Sequence, residues 1–412
     1  MRTVLQINVN RNVGSTGRIA EGIGSLAIEN GWESYIAHGR MAIQSESKEI
    51  RIGSGLHVYM HGLQTRLFDR HGLGSKLATL ELVYEIKHIK PDIIHLHNIH
   101  GYYLHIEILF KFLADASIPV VWTLHDCWSF TGHCSHFDFV GCDKWKTECN
   151  HCPQIGEYPR SLFIDRSTKN YKLKKSLFNS VDDITLIPVS DWLSNLLKDS
   201  FLGKIPSLMI HNGIDNSLFK PNVNNDVRVK YDIGNRFMIL GIASPWSKRK
   251  GLEDFLQLNK LLKIDEVIVL VGLDSFQLKH LPKNIIGISR TENITELVNI
   301  YSTADLMINP TYEDNFPTTN LEAMACGTPV ATYNTGGSTE SITTKTGFII
   351  EQGNLEELLN AISIVKAKGN HSYSEACRGH AVKYFNKNNC FKEYIDLYDR
   401  ILEKKKRKEE KK

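Results

Sequence analysis

The feature that most constrains the fold is a pattern that occurs twice along the chain. Short runs of aliphatic and β-branched residues alternate with longer stretches of helical character. Parallel strands joined by crossover helices produce this pattern, because a parallel pair of strands needs a long connection. The sequence therefore predicts an α/β fold with two doubly wound sheets. The predicted strands are Val4–Asn8, Ser34–His38, Asp92–His97, Val120–His125, Ile184–Val189 and Ser207–His211 in the first half, and Arg236–Ile242, Glu266–Val271, Ile285–Ile288, Asp305–Asn309, Pro329–Tyr333 and Gly347–Ile350 in the second.

The length of 412 residues agrees with this doubling. At roughly 150 residues per domain, the chain is long enough for two or three hydrophobic cores. We predict an N-terminal domain at residues 1–205, with an insert at 126–160, and a C-terminal domain at 206–385. A helix that crosses back and a basic tail are predicted at 386–412. Open parallel sheets bind ligands beyond the carboxyl ends of their strands, so a cleft between the two sheets is the expected ligand site.

Charge and hydropathy argue against several classes of function. The formal net charge of +3 gives no indication of a nucleic-acid partner. The longest apolar runs are far shorter than the roughly 18 residues of a spanning helix, and the N-terminus lacks a signal-peptide pattern. These observations predict a cytoplasmic protein. The lysine-rich tail at 403–412 is either a solvated helix end or a peripheral contact with the inner face of the membrane.

One segment of the second half points to a phosphate-containing ligand. A helix is predicted from Pro317 to Cys326, because proline is tolerated in the first turn and Gly327 follows the last. The exposed amides of its first turn suit a diphosphate. Asp314 and Glu322 can accept hydrogen bonds from hydroxyls of a sugar and a ribose. In the alternative interpretation, the acidic residues only stabilise the start of their own helix through its dipole.

The spacing of these acidic residues resembles a known signature. Asp314-x7-Glu322, followed by Ala-Met-Ala-Cys-Gly-Thr-Pro-Val, resembles the Glu-x7-Glu signature of the family-four, or group 1, retaining glycosyltransferases. The resemblance implies the GT-B fold, in which two Rossmann-like domains face a central cleft. It implies that Glu322 binds the donor ribose and that the first acidic residue contacts the donor sugar. Asp314 stands at the place of the first Glu, with Glu313 one step earlier, so both are candidates. The remaining residues of the predicted donor-binding loop are Asn315, Phe316 and Pro317.

A basic turn follows the first strand of the second half. Cations in this turn would neutralise the diphosphate as it leaves, which is the largest electrostatic task in breaking a glycosyl phosphate bond. The family resemblance implies that an arginine and a Lys-Gly pair share this work. Lys250 and Gly251 match the pair, Ser244 stands near the arginine position, and Arg249 is predicted to replace that arginine. The alternative is a solvated charged turn.

Two glycine-containing turns are predicted to bring backbone amides close to the ligands. Gly336 and Gly337 lie in a turn that resembles the Gly-Gly-x-x-Glu turn of the family, on the donor side. Gly14 and Gly17 follow the first strand and match the glycine-rich first loop of the family, where a phosphate or the acceptor would approach. Without the resemblance, a Gly-Ser-Thr-Gly turn is structural as often as it is functional.

Histidines cluster at predicted strand ends in the first half. The resemblance implies that His125 contacts the donor sugar or orients the acceptor, whereas a lone histidine at a strand end is more often a core residue. His95, His97 and His100 suggest a metal site by their spacing. No carboxylate partner is spaced with these three, and a polar wall facing the acceptor explains them equally well.

The insert at 126–160 is rich in cysteine. The last two of its four cysteines form a Cys-x-x-Cys pair. Three interpretations remain open for the four thiols: a structural zinc site, disulfides, or unligated thiols. Because the insert directly follows His125, we predict that it covers the acceptor side of the cleft. The four cysteines are Cys134, Cys142, Cys149 and Cys152.

These features together predict a glycosyltransferase that uses a nucleotide sugar, with UDP- and GDP-sugars as the candidate donors. The expected acceptor is a glycan or a lipid-linked glycan in bacterial surface-polysaccharide assembly. The sequence offers no carboxylate pair like that of a retaining glycosidase, so we expect a front-face displacement without a catalytic metal. The alternatives are a sugar-nucleotide epimerase or phosphorylase of the same architecture, and a non-catalytic binding module.

Overall fold

The structure is a computed structural model that describes residues 1–222 and 226–410. It separates into two compact units. Unit 1 comprises Met1–His211 and Cys390–Lys412, and unit 2 comprises Asn212–Asn389. The last two residues of the predicted basic tail, 411 and 412, lie outside the described residues.

Unit 1 contains a six-stranded parallel sheet in the order β3-β2-β1-β4-β5-β6. The central strand β1 is buried along nearly its whole length, as expected for a sheet covered on both faces by crossover helices. The strands are β1 Arg2–Asn8, β2 Trp32–His38, β3 Lys48–Arg51, β4 Ile93–Leu96, β5 Val120–Leu124 and β6 Ile184–Pro188. The helices are α1 Gly14–Glu29, α2 Gly55–Phe68, α3 Lys76–Ile89, α4 Ile106–Asp115, α5 Ser167–Phe178 and α6 Asp191–Asp199.

Unit 2 repeats this topology with its own six parallel strands, in the order β12-β11-β10-β7-β8-β9. Numbered within their own unit, both sheets have the order 3-2-1-4-5-6 of doubly wound folds. The strands are β7 Phe237–Ile242, β8 Glu266–Val271, β9 Ile285–Ile288, β10 Leu306–Asn309, β11 Val330–Tyr333 and β12 Gly347–Ile350. The helices are α7 Asp226–Lys230, α8 Leu252–Asn259, α9 Ser275–His280, α10 Ile294–Thr303, α11 Thr318–Ala325, α12 Leu355–Lys368 and α13 His371–Tyr384.

The predicted α/β class and the doubling of the sheet are confirmed, with two differences in unit 1. The prediction lacked β3, a short edge strand whose residues are mostly exposed and charged. It placed a strand at Ser207–His211, which is wrong. That segment runs beside β6 and donates from the amides of Leu208 and Ile210, but it forms only an isolated bridge.

The last helix, α14 Lys387–Glu409, begins in unit 2 and packs into the core of unit 1. Phe391, Tyr394 and Tyr398 lie in one buried cluster with residues of β1 and α1. The Tyr398 hydroxyl is 2.6 Å from Nδ1 of His95. The C-terminus therefore completes the hydrophobic core around the first strand of the chain.

Among residues 1–222 and 226–410, no helix combines the length and the apolar character needed to cross a bilayer.

Candidate functional site

The topology of unit 2 brings two loops together. In the order 3-2-1-4-5-6, the first and fourth strands are neighbours. The connections that follow these two strands cross to opposite faces of the sheet, which makes a switch point between them. In unit 2 these strands are β7 and β10, which pair in parallel. Their carboxyl ends feed the segments 243–251 and 310–317. The basic turn and the acidic loop predicted from sequence therefore meet at the switch point of this sheet.

Two side chains of the basic turn reach the acidic loop. Nζ of Lys250 donates a hydrogen bond to Oδ2 of Asp314. Nη1 of Arg249 donates to the carbonyl oxygen of Glu313 at 2.6 Å, and the Tyr312 amide donates to the Arg249 carbonyl at 2.8 Å. Charge and backbone contacts thus join two segments that lie some sixty residues apart in sequence. The structure thus brings Lys250 and Arg249 to the acidic loop.

The two acidic candidates of the loop differ in exposure. The Glu313 residue is fully buried, whereas the Asp314 side chain is 18% exposed. Its partner Lys250 is exposed to a similar extent. A ligand that approaches from solvent can therefore reach the Asp314 carboxylate and the Lys250 ammonium, but not the Glu313 carboxylate.

The helix after this loop is α11, and Pro317 is its N-cap residue. The predicted helix began at Pro317 and ended at Cys326, so its bounds agree to within a residue. Glu322, on the second turn, accepts a hydrogen bond from the Tyr301 hydroxyl at 2.8 Å. Asn315 and Phe316 are buried, and the Phe316 ring packs on Phe385 at 5.8 Å between centroids. These two residues hold the loop in place by packing.

The glycine turn after β11 supports the same loop. The Gly337 amide donates to the Asp314 carbonyl at 3.0 Å. Gly336 has a φ of +52°, and a Cβ at this position would lie 2.1 Å from the Asp314 carbonyl oxygen. Glycine is therefore required at 336, both for the left-handed backbone and for the close approach. The turn fixes the backbone that carries the Asp314 carboxylate.

In unit 1, the predicted glycine loop lies at the start of α1 and follows β1. Gly14 has a φ of +71° and open space around the position of a Cβ. A Cβ on Gly17 would lie 3.3 Å from the Asn10 carbonyl oxygen, so Gly17 allows the helix to start tightly against the loop. Asn8 stabilises the loop by donating to the same carbonyl at 2.8 Å.

His125 follows β5 and faces a neighbouring histidine. Its Nε2 is 3.2 Å from Nδ1 of His97, and the two rings stack with centroids 5.5 Å apart. Desolvation lowers the pKa of His125 to about 4, so its imidazole is neutral near pH 7. A neutral imidazole in this position can donate a hydrogen bond to an uncharged hydroxyl or accept one from it.

A comparison with known protein families decides the class of this protein. The family model described as glycosyl transferases group 1 matches residues 225–378, which include the basic turn, the acidic loop, α11 and the glycine turn. The chain is a glycosyltransferase, and its residues 225–378 match the group 1 family. Enzymes of this class move a sugar from a nucleotide-sugar donor to an acceptor, which agrees with the predicted class of ligand.

Relatives and solved structures agree with this assignment. The glycosyltransferase is 22% identical over 377 residues to the putative colanic acid biosynthesis glycosyl transferase WcaC of Escherichia coli strain K12, covering 88% of this chain and 90% of that protein. Its fold is similar to sucrose-phosphate synthase from Thermosynechococcus elongatus, with a TM-score of 0.74, 17% identity, and coverage of 98% of this chain and 99% of that one. Anabaena HepE in complex with UDP-glucose gives a TM-score of 0.67 at 14% identity, with coverage of 97% and 100%. The GT-B prediction is confirmed.

Sequence reasoning missed one polar network of the glycosyltransferase. Oδ2 of Asp126 is 2.7 Å from Nε2 of His100, and Nδ1 of His100 is 2.9 Å from the Tyr158 hydroxyl. Burial raises the pKa of Asp126, but the neighbouring His100 lowers it more, and the pKa falls to about 2. The adjacent His-Asp pair at the end of β5 was a usable signal for Asp126. Tyr158 gave none, because it lies in an irregular loop with no periodicity.

His95 has a structural role. Its Nδ1 contacts the Tyr398 hydroxyl, and its Nε2 is 2.8 Å from the Thr123 hydroxyl, with the whole ring buried. In the part of the chain that the structure describes, no group of three or more His, Cys, Asp or Glu side chains is arranged to hold a metal ion. His95 therefore serves packing and hydrogen bonding within unit 1.

The four cysteines of the insert line one small cavity. The thiol of Cys134 donates to Cys152 and lowers the pKa of Cys152 to about 7, while the sulfur of Cys149 accepts from the Gly132 amide at 3.2 Å. All of them are free thiols, Cys142 included. The described residues show no metal-binding arrangement here, so the structural zinc stays a prediction that a metal analysis of the purified protein would test.

Proposed function

We propose that this glycosyltransferase transfers a sugar, with retention of anomeric configuration, from a UDP- or GDP-sugar to a glycan or lipid-linked acceptor of a bacterial surface polysaccharide. The observation that carries the proposal is the contact between Lys250 and Asp314 at the switch point of unit 2. It places a cation and a carboxylate side by side at the start of a helix, where a diphosphate and a sugar hydroxyl would need them.

The donor-side roles follow from charge and exposure. Lys250, Arg249 and the first amides of α11 stabilise the negative charge that builds up on the departing diphosphate. Glu322, held by the Tyr301 hydroxyl, accepts hydrogen bonds from the ribose. Asp314 accepts from a hydroxyl of the donor sugar, because its carboxylate is the more exposed of the two acidic candidates. The turn at Gly336 and Gly337 supports the same ligand indirectly, because the Gly337 amide holds the backbone of Asp314.

The acceptor-side roles fall to unit 1. His125 is neutral near pH 7 and orients the acceptor hydroxyl by a hydrogen bond. The loop with Gly14 and Gly17 offers backbone amides to a phosphate or a sugar of the acceptor. The new bond forms between the acceptor oxygen and the anomeric carbon on the face from which the phosphate departs. The acceptor proton passes to an oxygen of the leaving phosphate, so no carboxylate base is needed.

The pathway is proposed from a relative. WcaC is described as a putative colanic acid biosynthesis glycosyl transferase, and the match with this chain runs over most of both proteins. The structural similarity to HepE, which was solved with UDP-glucose, makes UDP-sugars the first donors to test. GDP-sugars are the second.

The test combines a donor screen with two variants. UDP-, GDP- and dTDP-sugars are compared by thermal shift, because a ligand that binds only the native state raises the apparent stability. Nucleotide release with the best donor is then measured for Glu322→Gln and Lys250→Ala. Exposed residues of the same unit provide matched controls, Glu356→Gln and Lys279→Ala. Unchanged turnover in both site variants would overturn the proposal, whereas a loss only in these variants supports it.

A further inference from the structure

A buried glutamine of β1 is held between a helix and a histidine. Gln6 is fully buried, and its Nε2 donates to the carbonyl oxygen of Ala20 in α1 at 2.8 Å. Its Oε1 lies 3.0 Å from Nε2 of His97, which follows β4. Gly24 allows α1 to come this close, because a Cβ at that position would lie 3.1 Å from Nε2 of Gln6. The side-chain amide therefore bridges α1 and the end of β4.

The orientation of the Gln6 amide follows from its first partner. A backbone carbonyl oxygen only accepts hydrogen bonds, so the atom that faces Ala20 must be the amide nitrogen. The amide oxygen then faces His97, and this oxygen has no proton to donate. Nε2 of His97 must therefore carry the proton of this contact.

The proton on Nε2 determines the role of the other nitrogen of His97. The residue is 1% exposed, and desolvation lowers its pKa well below the usual value of a histidine, so the ring is neutral near pH 7. A neutral imidazole carries one proton, which leaves Nδ1 of His97 as an acceptor. That nitrogen is 3.2 Å from Nε2 of His125. The His125 ring must donate to it, so the proton of His125 lies on Nε2.

The second nitrogen of His125 is thereby fixed as well. Its ring is also neutral near pH 7, because desolvation lowers its pKa to about 4. With the single proton on Nε2, Nδ1 of His125 can only accept a hydrogen bond. A ligand group that binds this nitrogen must be a donor, such as a hydroxyl. An ionised phosphate or carboxylate oxygen has no proton to donate and is excluded from this position.

We propose that Gln6 and His97 are positioning residues that fix the tautomer of His125, so that its Nδ1 accepts a hydrogen bond from the hydroxyl of the acceptor substrate. A hydroxyl that donates to this nitrogen keeps the lone pairs of its oxygen for the new glycosidic bond. The chain of contacts runs from the backbone of α1 through β1 to the ends of β4 and β5, entirely within unit 1. The substrate role of His125 rests on the proposed function, whereas its tautomer does not.

The direct test is nuclear magnetic resonance of the full chain labelled with ¹⁵N at its histidines. The chemical shift of each ring nitrogen shows whether it carries a proton, and His125→Gln identifies the signals of this residue. Near pH 7 we expect the proton of wild-type His125 on Nε2. A proton on Nδ1, or on both nitrogens, would overturn the proposal. The spectrum needs neither a donor nor an acceptor, so it remains informative even if the proposed sugar transfer fails.

Two substitutions remove the contacts that fix this tautomer. Gln6→Met has a side chain of similar length but loses both hydrogen bonds, so the proton of His97 is no longer held on Nε2. His97→Leu removes the nitrogen to which His125 donates. In both variants the His125 signals should show a mixture of the two tautomers. A wild-type spectrum of His125 in both would mean that neither residue fixes it, which would overturn the proposal.

Nucleotide release into water tests the functional consequence, because water then takes the place of the acceptor hydroxyl. Gln6→Met should lower kcat by about fivefold or more and leave the donor KM within about twofold. Ser34→Ala is the matched control, since Ser34 is buried, lies near Gly24 of α1 and loses one hydrogen bond, to Ser47 at 2.8 Å. The control should keep the wild-type kcat and His125 spectrum.

Three kinetic results would contradict the proposal. The first is wild-type kcat in both Gln6→Met and His97→Leu. The second is an equal loss in Ser34→Ala, because any missing hydrogen bond beside α1 would then have the same effect. The third is a change confined to the donor KM, since the hydroxyl that meets His125 would then belong to the donor sugar.

Discussion

The ammonium of Lys250 donates to the carboxylate of Asp314 across the switch point of the second sheet. Because Asn cannot form an ion pair, Asp314→Asn should leave Lys250 without its orienting charge and lower kcat by about 10- to 100-fold. Asp314→Glu keeps the charge and should stay within about threefold of the wild type. Steady-state kinetics with the preferred nucleotide sugar checks both values. Equal losses in the two variants would mean that side-chain volume, and not charge, governs this position.

Glu322 and Tyr301 should differ in how strongly they affect donor binding. Glu322→Gln removes the charge that meets the ribose, and the KM for the donor should rise by about tenfold or more. Tyr301→Phe removes only the 2.8 Å hydrogen bond that orients Glu322, worth about 0.5–1.5 kcal/mol, so its effect should be smaller. Donor KM values measured side by side test the order. A larger effect for Tyr301→Phe would contradict it.

Gly336→Ala should impair both stability and activity. The new methyl would meet the Asp314 carbonyl oxygen at 2.1 Å and push the acidic loop away from its position. The matched control is Gly141→Ala, where the backbone is left-handed with φ +60° and ψ +37°, but no atom lies within 4 Å of the added Cβ. The control should lose only about 1–2 kcal/mol of unfolding free energy from backbone strain and should keep its turnover. Denaturant titration and kinetics of both variants separate the collision from the strain.

Tyr398→Phe should destabilise unit 1. It removes the hydroxyl that lies 2.6 Å from Nδ1 of His95 and leaves that buried nitrogen without this partner, at a cost of about 1–3 kcal/mol. Tyr59→Phe is the control, because Tyr59 is 66% exposed and should change the free energy of unfolding by less than about 0.5 kcal/mol. Urea denaturation of both variants is the measurement. Equal midpoints would show that the His95 contact adds nothing to stability.

Acidification should destabilise the protein through His61. Burial lowers the pKa of His61 from 6.5 to about 3, and its Nε2 accepts hydrogen bonds from the amides of Gly72 and Gly74 at 3.2 Å each. Between pH 6.5 and about pH 3, the unfolded chain binds a proton at this histidine that the folded protein excludes. The free energy of unfolding therefore falls as the pH falls. One such histidine contributes about 1.4 kcal/mol per pH unit, or roughly 2 kcal/mol from pH 6.5 to 5. His61→Gln should reduce the measured slope of the free energy of unfolding against pH by the equivalent of about one proton.

The sequence predicts the strands of unit 2 well for a physical reason. A parallel strand buried on both faces is a continuous apolar run, as residues 267–271 of β8 are. The same reasoning fails at the edge of unit 1. The strand β3 is polar and largely exposed, so its pattern resembles a loop, and it forms because β2 offers it an open edge.

In the candidate site too, the sequence predicts features formed by neighbouring residues but not contacts between residues far apart in the chain. The acidic loop and the basic turn were predicted from local patterns, because each follows a recognisable strand and opens a helical turn. The pairing of Lys250 with Asp314 depends on the parallel pairing of β7 with β10, which are far apart in sequence. A local sequence pattern does not show which strands of a sheet are neighbours. The contact of Tyr158 with His100 was missed for the same reason, since it brings an irregular loop to a strand end 58 residues away.

The position of α14 has a consequence for how the protein is made. The ribosome releases the strands of unit 1 first, yet the core around β1 is filled by Phe391, Tyr394 and Tyr398, which are synthesised only after the whole of unit 2. Domains that are contiguous in sequence can fold as they emerge, from the N-terminus onward. Here the N-terminal part of unit 1 must wait, with apolar surface uncovered, until unit 2 has been made and α14 has left the exit tunnel. A nascent chain that stops before residue 390 would expose that surface permanently and become a substrate for chaperones and proteases.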